Sequence, residues 1–121
     1  MANILTVDDS PSIRQMIKVV LAPAGHNVVE ASDGAQGLAK AKATKFDLVI
    51  TDLNMPVMNG LELIRALRKE PALVGLPIVF LTTESSDAVK TEAKQAGATG
   101  WITKPFKQEQ LLAVVSKLVR S

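Results

Sequence analysis

Short apolar segments alternate with amphipathic segments along this 121-residue sequence, and this alternation limits the possible folds more than any other feature. A short apolar run is typical of a strand buried on both faces, whereas apolar residues spaced three and four apart indicate a helix. The pattern predicts strands over residues 3–7, 27–31, 47–51, 78–81 and 100–103, and helices over residues 11–22, 33–44, 59–69, 86–96 and 107–120.

Capping signals support this assignment of the helices. Ser10 followed by Pro11 is a favoured N-cap and first helical residue, and Asn59 stands three positions before Glu62, as in a capping box. Gly97 follows the fourth predicted helix and is suited to end it. Strands that alternate with helices predict an α/β fold, a doubly wound five-stranded parallel sheet with helices on both faces.

Composition and length limit the classes of function. The absence of cysteine excludes disulfide bonds and thiol catalysis. No apolar run approaches the roughly 18 residues of a membrane span, and the N-terminus lacks a signal peptide, so a soluble cytoplasmic protein without a membrane partner is expected. The basic cluster of Lys40, Lys42 and Lys45 is interpreted as a solvated helix end and not as a nucleic-acid site. The length fits one domain over residues 1–121.

Four of the five predicted strands end in a polar residue of a reactive type. Asp8 and Asp9 follow the first strand, Asp52 the third, Thr82 the fourth and Lys104 the fifth. In open α/β sheets, sites form where the carboxyl ends of the strands meet. A single acid at a strand end is often a helix cap, but three acids, a hydroxyl and a lysine at one edge indicate a functional site.

The residue types at this edge suggest phosphoryl transfer. Carboxylates held close together repel each other, and a divalent cation removes that cost. Oxygen ligands without nearby histidine or cysteine favour Mg²⁺ over zinc. A carboxylate can attack phosphorus to form an acyl phosphate, while Lys104 and Thr82 contact the phosphoryl oxygens. Asp52 is therefore predicted to be the phosphoryl acceptor, compensated by the cation and by Lys104.

The sequence resembles the receiver domains of two-component response regulators, and most closely the stand-alone chemotaxis kind, which is CheY-like. The matching segments are ILTVDDS, VITDLNMPVMNG, IVFLTTE and GATGWITKPF, and together they extend over the whole chain. The resemblance implies a flavodoxin-like strand order of 2-1-3-4-5. It also implies a signalling domain, not an enzyme, that assists only its own phosphorylation and dephosphorylation.

The resemblance assigns roles to the acidic residues. Asp52 would take phosphate from a histidine kinase. Asp9 and Asp52 would bind Mg²⁺ directly, together with the backbone carbonyl of Asn54, and Asp8 would act through water. Asn54 and Glu84 occupy the two positions that tune the lifetime of the phosphate in this family.

The resemblance also assigns the residues of the conformational switch. Thr82 would be the switch hydroxyl, and Lys104 the lysine that contacts the phosphate, with a cis peptide bond between Lys104 and Pro105. Trp101 takes the position of the switch aromatic, which is usually tyrosine or phenylalanine and less bulky than tryptophan.

Several outputs fit these residues. If 121 residues are the whole natural chain, the output must be contact with a downstream protein, and the flagellar motor switch is one candidate. A phosphate sink and a relay shuttle are alternatives, and a monomer is expected. An aspartate-nucleophile phosphatase would need a second acid where Asn54 stands. Flavin binding would need a phosphate loop rich in Ser, Thr and Gly after the first strand, where the sequence has the acidic DDSPS.

Overall fold

The computed structural model describes residues 2–53, 55, 57–83 and 87–119, in which five strands alternate with five α-helices. A short 3₁₀ helix at Pro71–Leu73 lies between the segments predicted as the third helix and the fourth strand. The strands are β1 (Asn3–Val7), β2 (Asn27–Ala31), β3 (Leu48–Asp52), β4 (Ile78–Thr82) and β5 (Gly100–Thr103). The helices are α1 (Pro11–Leu21), α2 (Gly34–Ala43), α3 (Gly60–Lys69), α4 (Asp87–Ala96) and α5 (Gln108–Leu118).

The five strands form one parallel sheet in the order β2-β1-β3-β4-β5. This confirms the predicted α/β class and the strand order that the resemblance implied. Asp52 pairs with Leu81 across β3 and β4, and Thr82 pairs with Thr103 across β4 and β5. Because the strands run in the same direction, the carboxyl ends of β1, β3, β4 and β5 meet along one edge of the sheet.

Each face of the sheet is covered by its own group of helices. Successive side chains of a strand point to opposite faces, so a strand covered on both sides is apolar throughout. Leu5 and Val49 pack toward α2, α3 and α4, whereas Ile4 and Leu48 pack toward α1 and α5. β1, β3 and β4 are therefore buried on both faces, as their composition predicted, whereas the edge strands β2 and β5 are partly exposed. No helix in the described part of the chain is long and apolar enough to cross a membrane.

Side-chain caps fix the helices that leave the acidic edge of the sheet. The Ser10 hydroxyl accepts a hydrogen bond from the Ile13 N–H at the start of α1. At α3, the Asn59 side chain accepts from the Glu62 N–H at 2.9 Å, and the Glu62 carboxylate accepts from the Asn59 N–H at 3.0 Å. Both predicted caps are confirmed, and each satisfies N–H groups that would otherwise lack a partner.

The third strand lies one residue further along the chain than predicted. Residues 47–51 were expected, but β3 comprises Leu48–Asp52, so Asp52 is its last residue. The ladder to β4 continues past Asp52, because the Leu53 N–H donates to the Leu81 carbonyl at 3.3 Å. A carboxylate is disfavoured in strands, so local propensity ended the strand too early.

Candidate functional site

Three carboxylates meet at the carboxyl edge of the sheet, between the ends of β1 and β3. Asp8, Asp9 and Asp52 each place one oxygen within 4.8 Å of the others. Asp8 is 1% exposed and Asp52 is 7% exposed, whereas Asp9 is exposed to solvent. The predicted acidic residues are thus adjacent, and two of them are withdrawn from water, where an ionised carboxylate needs compensation.

Lys104 extends from the end of β5 to the acidic residues. Its Nζ lies 3.1 Å from Oδ1 of Asp52 and 3.3 Å from Oδ2 of Asp8. The Lys104 N–H donates to the Thr82 carbonyl at 2.7 Å, and the Lys104–Pro105 peptide bond is cis, as the resemblance implied. One ammonium therefore offsets part of the negative charge of two buried carboxylates.

The chemistry of these groups suits a divalent cation. The cluster of Asp8, Asp9 and Asp52 offers only oxygen ligands, which hard ions such as Mg²⁺ prefer. Three carboxylates face one lysine, so negative charge remains in excess. A bound cation would offset that excess and reduce the repulsion between Asp8 and Asp52. The donor set thus fits the metal that the sequence predicted.

The surroundings of the Asp8 carboxyl disfavour its charged form. Burial raises the pKa of Asp8 above its usual value, and the negative charge of Asp52 acts in the same direction. The Ser10 N–H, which donates to Asp8 Oδ1 at 2.9 Å, and the Lys104 ammonium oppose the increase without cancelling it. The charged form of Asp8 is therefore less favourable in the folded protein than in the unfolded chain.

This shift predicts that the metal-free Asp8→Asn variant is more stable than the wild type at neutral pH, by a few degrees in Tm. Because the pKa of Asp8 is raised in the folded state, its contribution to stability is complete below the unfolded value, about 3.8, and is lost as pH rises through the folded value. The variant has no such loss. The difference in Tm between Asp8→Asn and the wild type should thus grow as pH rises from the unfolded pKa of Asp8 to its folded pKa, and it should remain constant above the folded pKa.

Thermal unfolding in the presence of a chelator, at a series of pH values, measures this difference. A Glu92→Gln variant, which removes a carboxylate from the exposed surface of α4, is the control and should show no comparable increase in Tm. An Asp8→Asn variant that is less stable than the wild type at neutral pH would contradict the prediction.

Thr82 and Trp101 lie on β4 and β5, the two strands beyond β3 in the sheet. Thr82 is the last residue of β4 and is 1% exposed. Trp101 lies on β5, two strands from Asp52, and 46% of it is exposed. The predicted switch residues are thus on neighbouring strands, and the indole is oriented toward solvent.

Among the described residues, Phe80 and Lys90 approach the Trp101 ring. Its centroid lies 6.4 Å from that of Phe80, and the Lys90 ammonium lies 4.6 Å from the ring centroid. A cation above an indole is attracted by the negative face of the ring. A cleft of about 150 Å³ adjoins these three side chains between α4 and β5. The sequence did not indicate the contact with Lys90, because it joins a helix to a strand.

Two of the predicted site residues, Asn54 and Glu84, lie outside the described residues. The predicted metal ligand at the Asn54 carbonyl, and the two positions assigned to phosphate lifetime, therefore remain predictions. Ser86, the predicted start of the fourth helix, also lies outside the described residues.

The structure also adds a residue that sequence reasoning missed. Gly60, the first residue of α3, packs directly against the backbone of Asp52 and Leu53, and its N–H donates to the Leu53 carbonyl at 2.9 Å. The signal available in the sequence was a glycine directly after the N-cap residue Asn59, where a side chain is normally tolerated.

The chain belongs to the response regulator receiver domain family, whose model matches residues 4–116. Receiver domains of this family act in two-component signalling, take phosphate from histidine kinases, bind Mg²⁺ in an acidic pocket and act on downstream targets. The relatives of this chain include single-domain regulators of the CheY and PilH kind.

Individual relatives cover almost the whole chain. The solved structure of the chemotaxis response regulator CheY4 of Vibrio cholerae is 48% identical, with 98% of this chain and 99% of that chain covered and a TM-score of 0.94. Protein PilH of Pseudomonas aeruginosa is 35% identical over 119 residues, with 98% of each chain covered. The receiver domain of a sensor histidine kinase from the same organism is 28% identical, with 99% of this chain and 98% of that chain covered and a TM-score of 0.91. Its structure contains a magnesium ion in the active site cleft.

Proposed function

We propose that residues 1–121 form one cytoplasmic receiver domain that accepts a phosphoryl group on Asp52 from a histidine kinase, with Mg²⁺ bound beside it. The observation that supports this most directly is the position of Asp52. Its carboxylate lies within 4.8 Å of two further acids and 3.1 Å from the Lys104 ammonium. A structural carboxylate would need only one cation as a partner, whereas this arrangement suits a nucleophile with its charge stabilisers.

The transfer reaction assigns a task to each residue. A carboxylate oxygen of Asp52 attacks the phosphorus of a phosphohistidine, the new O–P bond forms as the N–P bond breaks, and the imidazole nitrogen leaves and takes up a proton. Asp9 and Asp52, with the Asn54 carbonyl, would hold Mg²⁺, and Asp8 would act through water. When bound, Mg²⁺ would supply positive charge that stabilises the phosphoryl oxygens.

The remaining residues respond to the phosphoryl group. Lys104 already contacts Asp52 and Asp8, and can donate to a phosphoryl oxygen after a small movement of its flexible side chain. The Thr82 hydroxyl would donate to another phosphoryl oxygen. Asn54 and Glu84 are the positions that would tune the lifetime of the acyl phosphate.

The experiment that tests this function is incubation of the protein with a small phosphodonor and Mg²⁺, followed by mass measurement. One added phosphoryl group, labile to hydroxylamine, is the expected product. No addition in the presence of Mg²⁺ would contradict the proposal. An aspartate-nucleophile phosphatase is the less favoured alternative, and it would turn over an added phosphate ester.

The proposed output is binding to a downstream protein, because close relatives include chemotaxis response regulators. The flagellar motor switch, a phosphate sink and a relay partner are the candidate outputs. Capture of partners with and without beryllofluoride, which mimics the phosphoryl group, distinguishes them. A motor ligand should bind its target only when beryllofluoride is present. A phosphate sink should bind the kinase and no other partner.

The fluorescence of Trp101 can be used to follow the switch, because Trp101 is the only tryptophan. Mg²⁺ alone should change its fluorescence little, since the indole lies two strands from Asp52. Beryllofluoride should shift the emission, because Thr82 moves toward the phosphoryl group and changes the space beside β5. That is a local charge event coupled to a rearrangement of packing.

The coupling between the two residues is tested with a matched pair of variants. The shift in emission should disappear in Thr82→Ala and persist in Thr103→Ala, which removes a hydroxyl from the paired residue on β5. An identical shift in the wild type and in Thr82→Ala would show that Trp101 does not respond through Thr82.

A further inference from the structure

Arg14 connects α1 to the carboxyl ends of β1 and β2. Its Nη1 donates to the backbone carbonyl of Asp8 at 2.6 Å, and its Nε lies 3.1 Å from Oε1 of Glu30, on β2. The Arg14 side chain is 16% exposed, and the Glu30 side chain is 33% exposed. A guanidinium can make both contacts at once because its donors diverge in one plane.

The carbonyl that Arg14 contacts belongs to the peptide between Asp8 and Asp9. Arg14 therefore holds the backbone that carries both acids, and Asp9, which is exposed, depends on that backbone for its position. The same turn is fixed from other sides, since the Asp8 N–H donates to the Ala31 carbonyl at 3.1 Å and the Ser10 N–H donates to the Asp8 carboxylate.

By its charge alone, Arg14 would weaken metal binding. A positive charge beside the acidic residues repels a divalent ion, and Glu30 offsets that repulsion through its ion pair with Arg14. The pair thus supplies a strong, charge-assisted hydrogen bond to the Asp8 carbonyl with little net charge. Holding the turn and repelling the ion have opposite effects on metal affinity, so the sign of the change on substitution distinguishes them.

We infer that Arg14 is a positioning residue of the metal site, which fixes the Asp8–Asp9 peptide so that both carboxylates face the cation, and that Glu30 acts by orienting Arg14. This inference rests on the proposed Mg²⁺ site, and it extends that site to two residues that bind neither the metal nor the phosphoryl group. Partners that orient metal ligands typically change metal affinity by about 10–100-fold when they are removed.

Calorimetric titration of the full chain with Mg²⁺ tests the inference. Arg14→Gln should weaken binding about tenfold, although it removes a repelling charge. Arg14→Lys should also weaken it, because an ammonium keeps the charge but cannot make both contacts. Glu30→Ala should give a smaller loss, since Arg14 remains but is no longer oriented.

A double variant tests whether Arg14 and Glu30 act on the metal site together or independently. If Glu30 acts through Arg14, the Arg14→Gln/Glu30→Ala protein should bind Mg²⁺ with the affinity of Arg14→Gln alone. The matched control is Glu70→Ala, which breaks the exposed ion pair of Glu70 with Lys42 (3.2 Å). Its affinity for Mg²⁺ should equal that of the wild type.

Failure of this inference can be distinguished from failure of the proposed function. If the wild type binds Mg²⁺ and Arg14→Gln binds it equally well or more tightly, the positioning role is wrong and the metal site is retained. A lower Tm without a change in affinity would mean that Arg14 only stabilises the fold. If the wild type binds no Mg²⁺, the proposed function and this inference both fail. If Arg14→Gln does not fold, the Mg²⁺ affinities of Arg14→Lys and Glu30→Ala test the inference in the same way.

Discussion

Asp52→Asn should accept no phosphoryl group from a small phosphodonor under conditions in which the wild type is fully modified. The amide that replaces the carboxylate has nearly the same shape but lacks the negative charge of the nucleophile. Lys104 keeps its contact with Asp8, so the surrounding residues retain a charged partner. The loss should therefore be complete and should not result from unfolding.

The measurement is the mass of the protein after incubation with phosphodonor and Mg²⁺, with thermal unfolding as the test of folding. Asp47→Asn is the matched control, because it makes the same substitution at an exposed residue next to the opposite end of β3. That variant should be modified like the wild type. Equal modification of Asp52→Asn and the wild type would exclude Asp52 as the acceptor.

Gly60→Ala should destabilise the protein by about 3 kcal/mol, the upper range for overpacking in a core. A Cβ at residue 60 would lie 2.2 Å from the Asp52 carbonyl oxygen and 2.8 Å from the Leu53 Cα. Both are backbone atoms at the end of β3, and they cannot turn aside as a flexible side chain can. Either α3 moves away from the sheet or the end of β3 is distorted, and both displace Asp52.

Chemical denaturation of the two proteins measures this loss of stability. Gly75→Ala is the control, because nothing lies within 4 Å of a Cβ added at Gly75. It should unfold at nearly the same denaturant concentration as the wild type. A Gly60→Ala protein with an unchanged midpoint would show that α3 can move away from Asp52 at little cost.

The elements of the fold were largely predictable from local patterns. β1, β2 and β5 have the predicted bounds, and the Asn59–Glu62 capping box was visible as a spacing of three residues. Capping and periodicity involve residues that are neighbours in the chain, so they can be recognised without knowing the fold. The error at Asp52 occurred where a ladder to another strand outweighed the preference of a carboxylate for a loop.

The acidic site was predictable in its members but not in all of its contacts. The carboxyl ends of parallel strands meet at one edge, so Asp8, Asp9 and Asp52 could be placed together from sequence alone. The contact of Lys104 with Asp52 was also predicted, but its second contact was not, because that contact joins Lys104 to Asp8, 96 positions earlier in the chain.

The sequence by itself determined the class of fold, the starts of α1 and α3 and the residue types at the site, because these depend on local propensity and on the direction of parallel strands. Only the tertiary structure decided the burial of Asp8 and its raised pKa, the contact of Gly60 with the Asp52 backbone and the placement of Arg14 against Asp8. Each of these depends on how closely segments distant in sequence approach, and that distance is set by the packing of whole helices against the sheet.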